Sequence, residues 1–332
     1  GVDVTGPMLG KAKTSAKVEV DFRGSGTTYS LFRIRHVYFN LDWGKSALLV
    51  GQTWHPLYGD VAPEILNLNM GAPYQPFSRA PQIRYRFTSN NFMLTAAAIW
   101  QSQYLSVGPK TNKPGETSTQ KSQEFMKKSC VPEFYLGVDY KRPGLIAGAG
   151  LHVSSITPRT QSETEDAIYF VNERVTGISG EAHVKYTKEN WLVSAKTVLG
   201  TNLTQTSTVG GYGITSIDEV TGKQQYSPLR TSSTWVNVAY GKKWRPALFF
   251  GYLKNLGATK EVPYGALGTG TTLDQLFTGT AELTYNIPHW KFGAEYSLCN
   301  AWYGDEFDAK AKAINSHSIL NHRIVLVALF QF

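Results

Sequence analysis

Apolar and polar side chains alternate with a period of two along most of this chain. In "KVEVDFRG", Val18, Val20 and Phe22 share one face while Lys17, Glu19, Asp21 and Arg23 share the other. In "PEFYLGVDYK", Phe134, Leu136, Val138 and Tyr140 oppose Glu133, Asp139 and Lys141. "GEAHVKY" and "HWKFGAEYSL" repeat the arrangement, the second with Trp290, Phe292, Ala294, Tyr296 and Leu298 set against Lys291 and Glu295. Strict alternation is the signature of a β-strand with one apolar face, and almost no helical period competes with it. Fifteen strands are expected, at 2–9, 13–24, 30–42, 46–58, 81–89, 92–103, 132–142, 145–158, 175–188, 191–202, 231–242, 244–256, 272–287, 289–303 and 317–332.

Alternation alone fits a soluble sandwich, with its apolar faces turned inward, and a membrane barrel, with them turned to lipid. The connections decide between the two. Tight turns such as "LDWGKS", "TSNN", "YKRPGL", "TKENW" and "NIPHW" alternate with mostly long polar stretches, among them 59–80, 104–131, 160–174, 203–230, 258–271 and 305–316. Short connections on one side and long ones on the other are the asymmetry of an up-and-down barrel in a bilayer. Tryptophan gives an independent sign, because indole favours the membrane interface. Trp43, Trp191, Trp244 and Trp290 fall at the tight turns, Trp54, Trp100 and Trp302 near the opposite strand ends, and only Trp235 in mid-strand. The expected fold is all-β, a single domain over 1–332 forming a transmembrane antiparallel β-barrel. An odd strand count with both ends running downward points to sixteen strands, the first lying upstream of Gly1.

Composition agrees. The 332 residues are 13% aromatic and include 31 glycines, while the mean hydropathy is only -0.25. No apolar run reaches the roughly 18 residues a membrane helix needs, and barrel strands escape that test because their two faces average out. The formal charge of +8 comes from basic residues scattered singly along strands, a distribution that does not suit nucleic-acid binding. Cys130 and Cys299 are too few for a disulfide scaffold and have no zinc-like spacing, and their mutual bonding is left open. "AGAGLHV" and "GTGTT" lack the strand-loop-helix setting of a phosphate cradle. No catalytic arrangement stands out among the seven histidines and the carboxylates, so neither enzyme activity nor a cofactor or metal is expected.

If the interior is wet, the inward charges are the functional groups. "FRIRH" places Arg33 and Arg35 on one strand face, and "QIRYRF" places Arg84 and Arg86 on another. Guanidinium keeps its charge at any working pH, so such a column lays a permanent positive field across a channel, and Glu19 and Asp21 are on hand to pair with it. Residues 59–80 form a long connection with its own apolar residues, Ile65, Leu66, Leu68 and Met70, which suits a folded loop. Its charges, Asp60, Glu64 and Arg79, are the candidates to face the wall.

"LFRIRHVYFNL", "LLVGQTWHPLYGD" and "SRAPQIRYRF", together covering about 31–87, resemble the DcaP-like family of Gram-negative outer-membrane porins. The resemblance implies a barrel whose third loop folds inward as a constriction, with Asp60 and Glu64 opposite Arg33, Arg35, Arg84 and Arg86. It also implies a homotrimer, contact with bilayer and lipopolysaccharide, and passage of small, often anionic, solutes. The expected function is therefore an outer-membrane porin for hydrophilic, preferentially anionic, solutes. The alternative is a barrel acting as scaffold or partner of other outer-membrane proteins. The closing segment "LNHRIVLVALFQF" is expected to be a final strand whose terminal Phe332 joins the interfacial aromatics, with Arg323 inward and an inner face made apolar by Val325, Val327 and Leu329.

Overall fold

The computed structural model describes residues 1–25, 28–67 and 71–331. Among the described residues fifteen strands form the wall: β1 (Val2–Thr5), β2 (Lys13–Ser25), β3 (Thr28–Asp42), β4 (Ser46–Trp54), β5 (Arg79–Ser89), β6 (Phe92–Ile99), β7 (Glu133–Arg142), β8 (Leu145–Ile156), β9 (Val175–Lys188), β10 (Trp191–Thr201), β11 (Gln224–Tyr240), β12 (Trp244–Ala258), β13 (Leu273–Ile287), β14 (Trp290–Phe307) and β15 (Ala313–Phe330). Each pairs antiparallel with the next, which is up-and-down topology. Among the described residues β1 pairs only with β2, and β15 only with β14.

The wall is inside out by the standards of a soluble protein. Along β9, Gly177, Ser179, Glu181 and His183 are buried while Ile178, Val184 and Tyr186 are exposed. Leu136 on β7, Leu151 on β8, Leu199 on β10 and Phe250 on β12 are likewise about half exposed. An apolar belt of this size is stable only where hydrocarbon meets it, and the polar face turned inward then needs water or protein. No helix among the described residues is long and apolar enough to cross a membrane.

The turn side carries an aromatic girdle. Trp43, Trp191, Trp244 and Trp290 are 42–59% exposed. Three of them contact cross-strand rings, Trp191 on Tyr240, Trp244 on Tyr285 and Trp290 on Phe330. Phe332 lies outside the described residues. Trp54 departs from the expectation of an interfacial belt: it stacks on Tyr58 at 4.0 Å, with the Arg79 guanidinium 3.7 Å from its ring.

The opposite side differs from the sequence reading in extent. The long loop after β4 runs over 55–78, because Arg79 already pairs with Trp54 as the first residue of β5. The connection expected at 305–316 shrinks to 308–312, since the Gly304, Glu306 and Phe307 pairings with Ser316, Asn315 and Ala313 continue the ladder. Similarly β11 starts at Gln224, joined there by the strand Gly210–Ile217, which also pairs with Ala266–Thr269. Above the membrane both strand faces are wet, so polar residues that break the alternation do not end the hydrogen bonding. Cys130 and Cys299 are both free.

Candidate functional site

The site is built where loop 55–78 meets the inward face of the wall. From its start the loop is tied to strands far along the chain. Lys196 of β10 donates to the Leu57 and Tyr58 carbonyls at 3.0 and 2.7 Å. The Glu64 amide donates to Asn237 Oδ1 of β11, the Leu66 amide to Glu282 of β13 and the Asn67 amide to Glu295 of β14, at 2.8, 2.6 and 3.1 Å. The Tyr74 hydroxyl meets Thr278 Oγ1 at 2.6 Å, and its carbonyl accepts from Ser233 Oγ at 3.0 Å. Partners on strands from β10 to β14 require a loop that lies against the inner face of the wall.

Apolar groups seat it. Val61 and Tyr74 join the buried Trp235, Phe249 and Leu253 of β11 and β12, with Ile65 packed alongside. Two glycines leave the space: a Cβ on Gly251 would fall 2.6 Å from the Tyr74 ring, and one on Gly293 would fall 2.6 Å from Leu66. Leu68 and Met70, which the sequence suggested as packing residues, lie outside the described residues.

The charges sort into separate groups. Arg33 grips Asp21 with two bonds, at 2.8 and 2.5 Å. Arg35 bridges Glu19 at 2.6 Å and Asp21 at 2.9 Å, and Lys17 adds a contact to Glu19 at 3.7 Å. The pairing shifts register here, Glu19 opposing His36 and Val20 opposing Ile34, which makes Arg35 the extra residue of a β-bulge. The bulge lets both Arg35 and His36 turn inward, where His36 Nδ1 lies 3.0 Å from Thr53 Oγ1. This ladder is nearly neutral in itself.

Asp60 and Glu64 face other cations. Asp60 takes the Lys141 ammonium at 2.5 Å and lies 3.9 Å from Arg86. Burial would raise its carboxyl, but Lys141, with Arg86 and Arg84, more than offsets this and holds it below the usual carboxylate range. Glu64 binds Lys185 at 2.6 Å and Arg245 at 3.0 Å. Arg84 is 8% exposed and has no carboxylate within 4 Å among the described residues: it donates to Gln82 Oε1 at 2.8 Å and to the Trp54 carbonyl. Arg79 sits on the other face of β5 by alternation, buried against Trp54. A polar cavity of ≈ 20 Å³, about the size of one water, remains between the loop and Arg84, Arg86, Tyr135 and His183.

Some groups here were not singled out from the sequence. His183 reaches Asp139 and Glu181, both at 2.9 Å. Lys196 is fully buried. His55, Glu133 and His152 converge at the loop root. Strand parity would have sent Lys196 and His183 inward, but no sequence signal says that a loop would cover them.

No protein-family model and no curated protein matches the chain by sequence. Solved structures match its fold. The outer membrane channel DcaP of Acinetobacter baumannii superposes with a TM-score of 0.69 at 17% identity, over 99% of this chain and 83% of that one. OmpF of Salmonella typhi, in complex with daunomycin, gives 0.57 at 13% identity over 98% and 88%. An anion-selective porin from Comamonas acidovorans gives 0.52 at 10% identity over 98% and 86%. The chain therefore has the fold of outer-membrane porins.

Proposed function

We propose that this chain forms a water-filled channel in the bacterial outer membrane for passive diffusion of small hydrophilic solutes, with residues 55–78 as its constriction and a preference for anions. The observation that carries the channel reading is the loop itself, bonded along an inner wall of polar groups on strands β10 to β14. The anion preference rests on a difference between the charges. Glu19, Asp21, Asp60, Glu64 and Glu282 each have a cation within 4 Å. Arg84, Lys291 and Arg323 have no carboxylate within 4 Å among the described residues, and alternation turns all three inward. Paired charges largely cancel at the distance of a passing ion, so these cations, together with Lys196 and weighed against Glu133 and Glu295, which have no Lys or Arg within 4 Å among the described residues, tip the field positive. Likeness to channels rather than enzymes agrees with this reading, and the porin fold is compatible with a homotrimer.

Reversal potentials across planar bilayers under a salt gradient test it. Anion selectivity is expected, reversed in Lys291→Glu plus Arg323→Glu. A wild-type protein that conducts no ions, or that selects cations, sinks it. The scaffold reading is favoured by one observation, the 41% exposure of Leu329 on the inner face of β15. Stoichiometric recovery with other envelope proteins, in a barrel that carries no current, would support it.

A further inference from the structure

The root of the loop holds a buried trio that selectivity does not require. His55 follows β4, Glu133 opens β7 and His152 lies on β8, and they are 2%, 2% and 0% exposed. Both imidazole Nε2 atoms meet the same Glu133 oxygen, His152 at 2.8 Å and His55 at 3.3 Å. The other Glu133 oxygen accepts from Gln101 Nε2 at 2.7 Å. Surroundings fix the His55 tautomer. The Leu57 amide donates to His55 Nδ1 at 3.2 Å, so Nδ1 is an acceptor and the ring proton sits on Nε2. The three side chains keep ligand-type atoms within 4.8 Å of one another, yet His55 then offers no lone pair at Nε2 to a metal ion. His152 differs, because its Nδ1 is buried without a partner among the described residues.

We propose that His55 is an acid-operated latch on loop 55–78. With Nδ1 bare, His55 holds the first turn of the loop through the Leu57 amide. A proton from solvent on Nδ1 converts that acceptor into a donor, sets two N–H groups head to head and frees the turn. A proton reaching His152 Nδ1 breaks no bond and leaves the Glu133 contact in place, so His152 is not the trigger.

The groups facing His55 set the range. Burial disfavours its imidazolium, the Glu133 hydrogen bond opposes that, and His152 and Arg84 add repulsion, so His55 is held below its ordinary value of 6.5. An opened root exposes His55 to water and restores the ordinary value. Opening is therefore coupled to proton uptake, and the latch weakens as pH falls below 6.5, down to the lower value of the closed state. On the far side, the Lys196 ammonium holds the Leu57 and Tyr58 carbonyls and stays charged across this range, so only the His55 tie responds.

The consequence for flow rests on the channel reading, but the opening of the root does not. Hydrogen exchange of the Leu57 and Tyr58 amides, corrected for the intrinsic pH dependence, reads the latch without any current. Protection is expected to fall by up to about tenfold per pH unit below 6.5. His55→Asn places Oδ1 where Nδ1 was, as a permanent acceptor, and is expected to abolish that dependence, while His152→Gln keeps it. Flat protection in the wild type, a pH dependence surviving in His55→Asn, or its loss in His152→Gln overturns the latch. So does zinc chloride alone protecting these amides at neutral pH in the wild type but in neither variant, which would make the trio a metal site. In a bilayer, the same acid range is expected to change conductance reversibly.

Discussion

Gly251→Ala tests whether the seat of the loop depends on one missing methyl group. The added Cβ would lie 2.6–2.8 Å from the Tyr74 ring, where 3.4 Å or more is ordinary contact. The ring cannot simply retreat, because it is buried, its hydroxyl is held by Thr278 at 2.6 Å and Phe249 stands 6.1 Å away, centroid to centroid. Overpacking of this kind costs about 1–3 kcal/mol. Losing the Thr278 bond adds about 1 kcal/mol. The low end of the sum, about 2 kcal/mol, corresponds to about a 30-fold rise in the undocked population of the loop. The ladder of β12 is untouched, since alanine suits a strand better than glycine, so global unfolding should change little. Hydrogen exchange over residues 71–77 measures the docking, and single-channel conductance should rise with it. Exchange within threefold of wild type would refute the argument. Tyr74→Ala supplies the control: with the ring gone, adding Gly251→Ala should have almost no further effect, a coupling that a double-mutant cycle isolates.

Other substitutions separate the forces further. Asp60→Asn removes the charge that binds Lys141; because the wild-type carboxyl titrates below 3.8, its contribution to loop docking is fully present above that pH and is lost only as pH falls through the lowered value. Loop protection should therefore drop below pH 3.8 by less in the variant than in the wild type, since the variant keeps only the other carboxylate ties of the loop, such as Glu64 on Lys185 and Arg245. Glu173→Gln breaks a fully buried pair, in which Arg159 binds Glu173 at 2.5 and 3.1 Å while Tyr226 and the Gln224 amide also donate to the carboxylate. Stranding that guanidinium costs about 3–5 kcal/mol, so trypsin should cleave near Arg159 much faster while the strands remain protected. Leu136→Arg puts a charge on a lipid-facing position that is 53% exposed. Its expected cost is up to about 4 kcal/mol at the bilayer midplane, read as a lower urea midpoint for unfolding from vesicles; an unchanged midpoint would mean that this face does not meet hydrocarbon.

The wall was legible because period two survives locally. Val175–Lys188 has the bounds that alternation alone assigned, and most other strands end within a few residues of expectation. The errors lie where both faces are wet and no hydrophobic pattern remains, as at the tops of β11, β14 and β15. Trp54 was misplaced for a related reason. Being at a strand end suits an interfacial tryptophan, but here the ring is taken up by Tyr58, Phe77 and Arg79, which the loop brings back to the same end. Similarly, the β-bulge at Arg35 is invisible in the residue types of "FRIRH"; only the register against Glu19 and Val20 reveals it.

The charge pattern was half legible for a deeper reason. Arg33 and Arg35 find Asp21 and Glu19 across a single hairpin, 12 to 16 residues away, so neighbouring strands and matched parity suffice to suggest the pairing. Glu64 finds Lys185 and Arg245 at separations of 121 and 181 residues, and His55 finds Glu133 at 78. Those separations are set by the curvature of the whole wall, which no local pattern encodes. A strand's parity tells which side a charge faces, whereas only the loop's path tells whether it meets water or a partner. Neutralisation is thus written into the hairpins, and inward cations with no carboxylate within 4 Å among the described residues, such as Arg84, Lys291 and Arg323, are what the path of the loop leaves over. A change in the loop should therefore alter selectivity even when every wall residue is kept.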